Sequence, residues 1–481
     1  MKSLRILLIA AILLSVLSCE KWFSKDSEKD LIILCEELKP YSFSENGEQK
    51  GISLDIVQNI LDSRYLDNDI EISDSWDDAM KELKNSDNVV LFTTAITHER
   101  KDLFQWAGPI AILNAGFVSL ENSAIDISSY DDAKELSTIG VITGYPTTQI
   151  LNDEGFQNLK EFNSISDALQ ELYEEKIDAI FEVYNLLKVA SLDLGYDVEV
   201  LKNNYTGHTS VCYIAFSKGI SEDIVQDWQE EIDRMKDDGI VQQIYDEYIS
   251  NVTAPGKLLL FTEENPPINY VDQDGKLTGS SIEIVEAIMD ELNISEHIEL
   301  TNWTNAYSQI ELLPNVMTFS TLRTTSREDL FQWVGPVCKK SYCFFVKAGA
   351  SIEIQSLDDA KQLGSVGTMT AWSSENQLRD AGFTNIVTWS TPSEVFQKLI
   401  DGEIDAAVLN DISIKDLAEG AGVNINAVRN EFTLSSGENF LAFSIDTDVK
   451  YVQDWESAYN SILNNGVFHQ IWSKWYPNID W

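Results

Sequence analysis

Short apolar runs alternate along this chain with longer stretches in which apolar residues recur every three or four positions. Residues 31–34 (Leu-Ile-Ile-Leu) and 258–261 (Leu-Leu-Leu-Phe) predict short buried strands, and residues 89–94 and 316–321 predict two more. Between them, residues 51–61 and 279–292 carry helical spacing. Residues 137–142, 179–181 and 406–409 continue the strand pattern. Strands and helices in alternation predict an α/β fold, with a sheet flanked by helices.

The pattern is written twice. Arg100-Lys101-Asp102-Leu103-Phe104-Gln105-Trp106-Ala107-Gly108-Pro109 returns as Arg327-Glu328-Asp329-Leu330-Phe331-Gln332-Trp333-Val334-Gly335-Pro336, with eight of ten positions identical and a spacing of 227 residues. The same spacing relates Trp76 to Trp303, Gly140 to Gly367, Asp178-Ala179 to Asp405-Ala406, and Gln226-Asp227-Trp228 to Gln453-Asp454-Trp455; a one-residue slip falls near Gly51 and Gly279. This period is too long for a solenoid repeat, so it describes two whole domains. The expected organisation is residues 1–18 as a signal segment, 19–29 as a tether, 30–251 as a first module, 252–256 (Val-Thr-Ala-Pro-Gly) as a linker and 257–481 as a second module.

An ordered set of features, present in both modules, resembles the family 3 extracellular solute-binding proteins. A first strand leads to a Pro-aromatic turn (Pro40-Tyr41-Ser42-Phe43; Pro266-Pro267-Ile268-Asn269-Tyr270), then to a glycine opening an amphipathic helix. The Trp76 and Trp303 segments follow, then the Arg100 and Arg327 segments with their Gly-Pro, then Gly140 to Gly144 and the Asp-Ala strands. The resemblance covers essentially all of both modules. It implies two tandem clamshells of the type II periplasmic-binding-protein fold. In each, one lobe combines the module's start and end, and the other is its middle. Residues 113–119 and 211–216 would cross between lobes in the first module, and 343–346 and 440–443 in the second.

The resemblance also places ligand contacts. It assigns the clamp on a ligand α-carboxylate to Arg100 and Arg327, where a planar guanidinium can donate two parallel bonds; a surface ion pair with Asp102 or Asp329 is the competing reading. Thr93 and Ser320, seven residues earlier, stand where the family uses hydroxyl or backbone contacts. Trp76 and Trp303 are expected against the ligand, unless they are core residues. Arg323 is an extra cation of the second module, facing either the cleft or a salt bridge at the lobe edge. In the other lobe, Gly144 and Tyr145 open a helix whose N–H groups suit an anion, with Trp372 in the matching turn; Thr147 or Ser374 could be the N-cap. Amino-acid binders carry an Asp five residues beyond the Asp of the Asp-Ala strand. Here that position is Val183 or Asn410, and Glu182 is one residue off. Valine cannot pair an ammonium group, so the first module binds something other than a standard amino acid, or nothing.

Charge and the amino terminus set the context. The 481 residues hold 34 Lys+Arg against 79 Asp+Glu, a formal net charge of −45. That excess argues against nucleic-acid partners, which require cations to displace counterions; it reads as a solvated acidic surface. Met1 to Arg5 carry two cations, Ile6 to Leu17 form an apolar run shorter than a membrane span, and Ser18-Cys19 end it. This resembles a lipoprotein export signal, with Cys19 as the lipidated residue and Leu17 where a smaller residue is usual. Localisation would then be extracytoplasmic and membrane-anchored. The four remaining cysteines allow free buried thiols or a local Cys338–Cys343 bridge. No GxSxG elbow, HExxH zinc site or CxxC motif occurs, so the expectation is no enzyme, no metal and no cofactor. The chain is read as a receptor for a small polar or anionic, amino-acid-like metabolite, with an ABC transporter permease or membrane sensor as partner. A ligand-free scaffold and a cyclohexadienyl-dehydratase-like enzyme are the alternatives.

Overall fold

The computed structural model describes residues 28, 30–73, 75–272, 275–476 and 481. The expected signal segment and Cys19 lie outside the described residues. Among those described, no helix is long and apolar enough to cross a membrane.

Two eight-stranded mixed sheets carry the fold, with the same strand order in each module. The first sheet runs Ile70–Ser73, Ile32–Glu36, Val89–Ala95, Leu201–Phe216, Gln105–Leu120, Ala179–Val183, Ile139–Ile142, Leu159–Phe162. The second runs Ile298–Leu300, Leu259–Thr262, Val316–Leu322, Val428–Ser444, Phe331–Lys347, Ala406–Asn410, Val366–Met369, Ile386–Trp389. The helices Ile52–Ser63 and Ser280–Leu292 stand where helical spacing predicted them.

The described chain forms two compact units. One holds the described residues up to Leu113 with Asn185–Tyr196 and Ser210–Lys257; the other holds Asn114–Tyr184, Asp197–Thr209 and the second module from Leu258. The first module's outer segments thus form one unit, with a core of Leu34, Met80, Leu83, Leu91 and Phe104. The middle segment is not wholly separate from them, contrary to the simple lobe assignment. The stretch Asn185–Tyr196 belongs with the outer segments, where Asp193 pairs with Lys39 at 2.7 Å.

The second module has two cores. One gathers Ile288, Phe319, Phe443, Trp455 and Trp472; the other gathers Phe344, Leu378, Phe396, Val408 and Leu417. The antiparallel strands Phe331–Lys347 and Val428–Ser444 link them, pairing from Phe331↔Ser444 to Lys347↔Val428 with a register shift between Val334 and Cys338. The crossing falls around residues 334–341. Residues 343–346, expected to cross, are instead buried in the second lobe's core, because Cys343, Phe344, Phe345 and Val346 are too apolar to lie in an open hinge.

The repeated ten-residue motif is mostly structural. Gln105 Nε2 donates to the Ile220 carbonyl at 2.7 Å, and Gln332 Nε2 to the Thr447 carbonyl at 2.7 Å. Trp106 and Trp333 close their own loops by donating Nε1–H to Lys101 O (3.1 Å) and Glu328 O (3.2 Å). Phe104 and Phe331 are buried beneath. Cys35, Cys212, Cys338 and Cys343 are all free and buried.

Candidate functional site

In the first unit, the chain brings three predicted residues together from separate elements. Trp76 opens the helix Trp76–Asn85, Thr93 lies near the end of the strand Val89–Ala95, and Arg100 follows in the next loop. The Arg100 guanidinium lies over the Trp76 ring, 5.5 Å from its centroid. Burial lowers its pKa, against the pull of Glu99. Thr93 holds φ at 57°, a left-handed value that a β-branched residue rarely adopts.

The second module repeats this arrangement more deeply buried. Arg327 is 8 % exposed and lies between two rings, 5.1 Å from the Trp303 centroid and 4.9 Å from that of Tyr307. Its Nη1 donates to Leu322 O at 3.3 Å. Neither Arg100 nor Arg327 forms an ion pair among the described residues. Ser320 has φ at 62° and donates its hydroxyl to Ser281 Oγ at 2.9 Å.

Two further groups, Lys340 and Glu263, complete the second cleft, and the sequence reading missed both. Lys340 is 5 % exposed, with Nζ 5.4 Å from the Tyr342 ring and 5.5 Å from that of Trp372. Desolvation pulls its pKa down; Tyr342, Cys338 and Glu263 outweigh that, leaving the ammonium's pKa raised. Glu263, at the end of the first strand, is buried, and desolvation pushes its carboxyl up to about 7 against the pull of Lys340, Trp372 and Arg327. The available signals were a lysine pair inside an apolar strand and a Glu-Glu pair directly after the first strand. Two cations therefore share this cleft with one carboxylate.

Side-chain bonds join the two lobes here. Trp372 Nε1 donates to Glu263 Oε2 at 2.9 Å and Trp303 Nε1 to Ala371 O at 3.2 Å. Asn410 is fully buried; its Nδ2 donates to Asn265 Oδ1 at 3.2 Å, and its Oδ1 accepts from Ser413 N at 2.8 Å. The space left among Glu263, Trp303, Ser320, Arg327, Lys340 and Trp372 is ≈ 10 Å³.

Arg323 adopts the second of its two expected readings. Its Nε pairs with Glu328 Oε2 at 2.8 Å, its guanidinium rests over Phe440 (5.1 Å), and it does not line the cleft. The N-cap expectation is corrected in both modules. Tyr145 and Trp372 are the caps of Pro146–Asp153 and Ser373–Asp380, because helical backbone begins at the very next residue. Thr147 Oγ1 instead donates to Glu182 Oε2 at 2.8 Å, and Ser374 Oγ lies 2.8 Å from Thr368 Oγ1. Glu182 is thus buried beside the helix start, its pKa raised by desolvation. Gly144, in the preceding turn, has φ at 82°, and Tyr145 is 37 % exposed.

The model of the bacterial extracellular solute-binding proteins, family 3, matches residues 31–251 and again residues 258–478. The chain belongs to this family. It carries two consecutive family 3 modules. Among curated relatives, the L-cystine-binding protein TcyJ of Escherichia coli (strain K12) is 23% identical over 244 residues, covering 49% of this chain and 89% of the relative. The amino-acid-binding protein AabA of Dichelobacter nodosus is 22% identical over 223 residues, covering 44% and 84%. Both are binding proteins by name. Among solved structures, the arginine-, lysine-, histidine-binding protein ArtJ from Geobacillus stearothermophilus matches at 16% identity and a TM-score of 0.41, covering 47% of this chain and 97% of its own. The periplasmic domain of BvgS from B. pertussis matches at 14% identity and a TM-score of 0.39, covering 95% and 92%. Among the described residues, no group of His, Cys, Asp and Glu could hold a metal ion.

Proposed function

We propose that this chain is an exported, lipid-anchored, non-catalytic receptor whose second module captures a small anionic, amino-acid-like metabolite between its lobes. It would present that ligand to an ABC transporter or a membrane sensor, tethered through residues 19–29 and with residues 252–256 linking the modules. The observation that carries the reading is the pair of buried cations, Arg327 and Lys340, balanced by the single carboxylate of Glu263. Buried charge is stable only when paired, and a ligand carboxylate supplies the missing partner. Arg327 would take it with its planar fork, Lys340 would take a second acidic group, and ionised Glu263 would take an ammonium. Ligand contact with both lobes then favours the closed state. The names of the curated relatives support an amino-acid-like ligand.

The first module repeats the Arg–Trp pair but not the rest. At the same spacing of 227 residues, Leu113 stands for Lys340, Ala115 for Tyr342 and Val183 for Asn410. Its specificity therefore differs from that of the second module.

The test is a thermal-shift screen of the full chain against amino acids and small dicarboxylates. Acidic members should raise the unfolding midpoint; R327A should abolish that shift and K340M should weaken binding roughly tenfold or more. A shift that survives intact in R327A sinks the assignment.

A further inference from the structure

A larger cavity, ≈ 420 Å³, adjoins the second cleft and shares Glu263 and Trp303 with it. Its walls come from both modules: the first contributes Asn204 and Tyr205 from its long strand, and the second contributes Glu263, Glu264, Trp303 and Ser393. The walls are fixed by direct bonds between the modules. Asn305 Nδ2 donates to Gly207 O at 2.9 Å, Gln309 Nε2 to Thr209 O at 3.1 Å, and Asn114 Nδ2 to Glu299 Oε1 at 2.9 Å. A cavity of this size is in the range of small-molecule sites.

The chemistry of this chamber is opposite to that of the cleft beside it. No lysine, arginine or histidine lines it among the described residues; its charged groups are Glu263 and Glu264, and hydroxyl and amide side chains make up most of the remainder. Glu264 lines it with an exposed side chain and forms no ion pair among the described residues. Glu394 and Glu154 act electrostatically on the Tyr205 hydroxyl. Two aromatic faces, Tyr205 and Trp303, border the same space, and such faces attract organic cations.

We propose that this chamber is a second ligand site, built jointly by the two modules, for an organic cation bearing ammonium groups, such as an aliphatic diamine or polyamine. Glu264 supplies the countercharge, and Tyr205 and Trp303 supply aromatic walls. Because the walls belong to both modules, an occupant holds them together. The site does not depend on the anionic reading of the neighbouring cleft.

Isothermal titration of the full chain with putrescine and spermidine tests this, at about 0.15 M salt so that diffuse attraction to the acidic surface is screened. The expected result is saturable binding near one amine per chain. E264Q removes an exposed carboxylate and S393W fills the chamber from an exposed position; each should weaken binding roughly tenfold or more, with the amine-free unfolding midpoint unchanged. Heats that never saturate, or saturable binding equally strong in E264Q and S393W, would overturn the proposal.

Discussion

Trp372 donates its indole N–H to the Glu263 carboxylate at 2.9 Å, joining a helix N-cap in one lobe of the second module to the end of a strand in the other. Burial raises that carboxyl from its ordinary 4.5 to about 7. The unfolded chain therefore ionises this group before the folded one does. Below pH 4.5 the group has no effect on stability; between 4.5 and 7 its contribution becomes steadily more unfavourable, and above 7 it stays so. E263Q still offers an acceptor to Trp372 but cannot ionise. It should be more stable than the native chain at pH 8, by on the order of 3 kcal/mol, and nearly equal to it at pH 4.5. Urea unfolding at the two pH values measures the difference, and an equal gap at both would refute the assignment.

W372F should act in the opposite sense. Phenylalanine keeps most of the ring but removes the donor, so a buried carboxylate loses its hydrogen bond. The expected loss is about 1–3 kcal/mol at pH 8. It should shrink at pH 5, where Glu263 is protonated and less dependent on the donor. The unfolding midpoints of the two proteins across pH report this.

The left-handed residue beside each arginine-bearing loop stores local strain. Thr93 and Ser320 both hold positive φ, and Thr93 Oγ1 is buried without a hydrogen-bond partner. T93G should stabilise the chain by about 1 kcal/mol. S320G should gain less, because it also loses the bond to Ser281. A lower urea midpoint for T93G would show that the backbone is not strained there.

Gly279 and Gly466 share a positive φ but not their surroundings. A Cβ on Gly279 (φ 131°) would stand 2.3 Å from Ile268 O, whereas one on Gly466 (φ 87°) would meet nothing within 4 Å. G279A should therefore cost about 3 kcal/mol or more, and G466A about 1 kcal/mol. Equal costs, read from denaturant midpoints, would mean that the turn before the helix Ser280–Leu292 moves aside.

Much of the fold was legible because the hydrophobic period belongs to each element alone. The apolar run at residues 31–34 and the helical spacing of residues 279–292 needed no tertiary information. Half of the candidate cleft was legible too. Trp303 and Arg327 recur at the repeat spacing from Trp76 and Arg100, and the family resemblance placed Ser320, whose counterpart is Thr93. Lys340 and Glu263 were not legible. They sit 77 positions apart in the sequence, and only the meeting of the lobes sets them in one buried site. The reading of Arg323 turned on whether Glu328, five residues on, would face it.

The sequence by itself determined that one α/β module occurs twice, where its strands and helices lie, and that each copy carries an Arg and a Trp at matching positions. Those properties follow from local periodicity and from repetition, which a linear chain records. The tertiary structure alone decided which charges share a space. It buried Arg327 and Lys340 beside Glu263, turned Arg323 outward onto Glu328, and set first-module residues beside Glu264. Electrostatic and packing energies depend on distance and burial, and the fold brings distant residues within a few ångströms of one another.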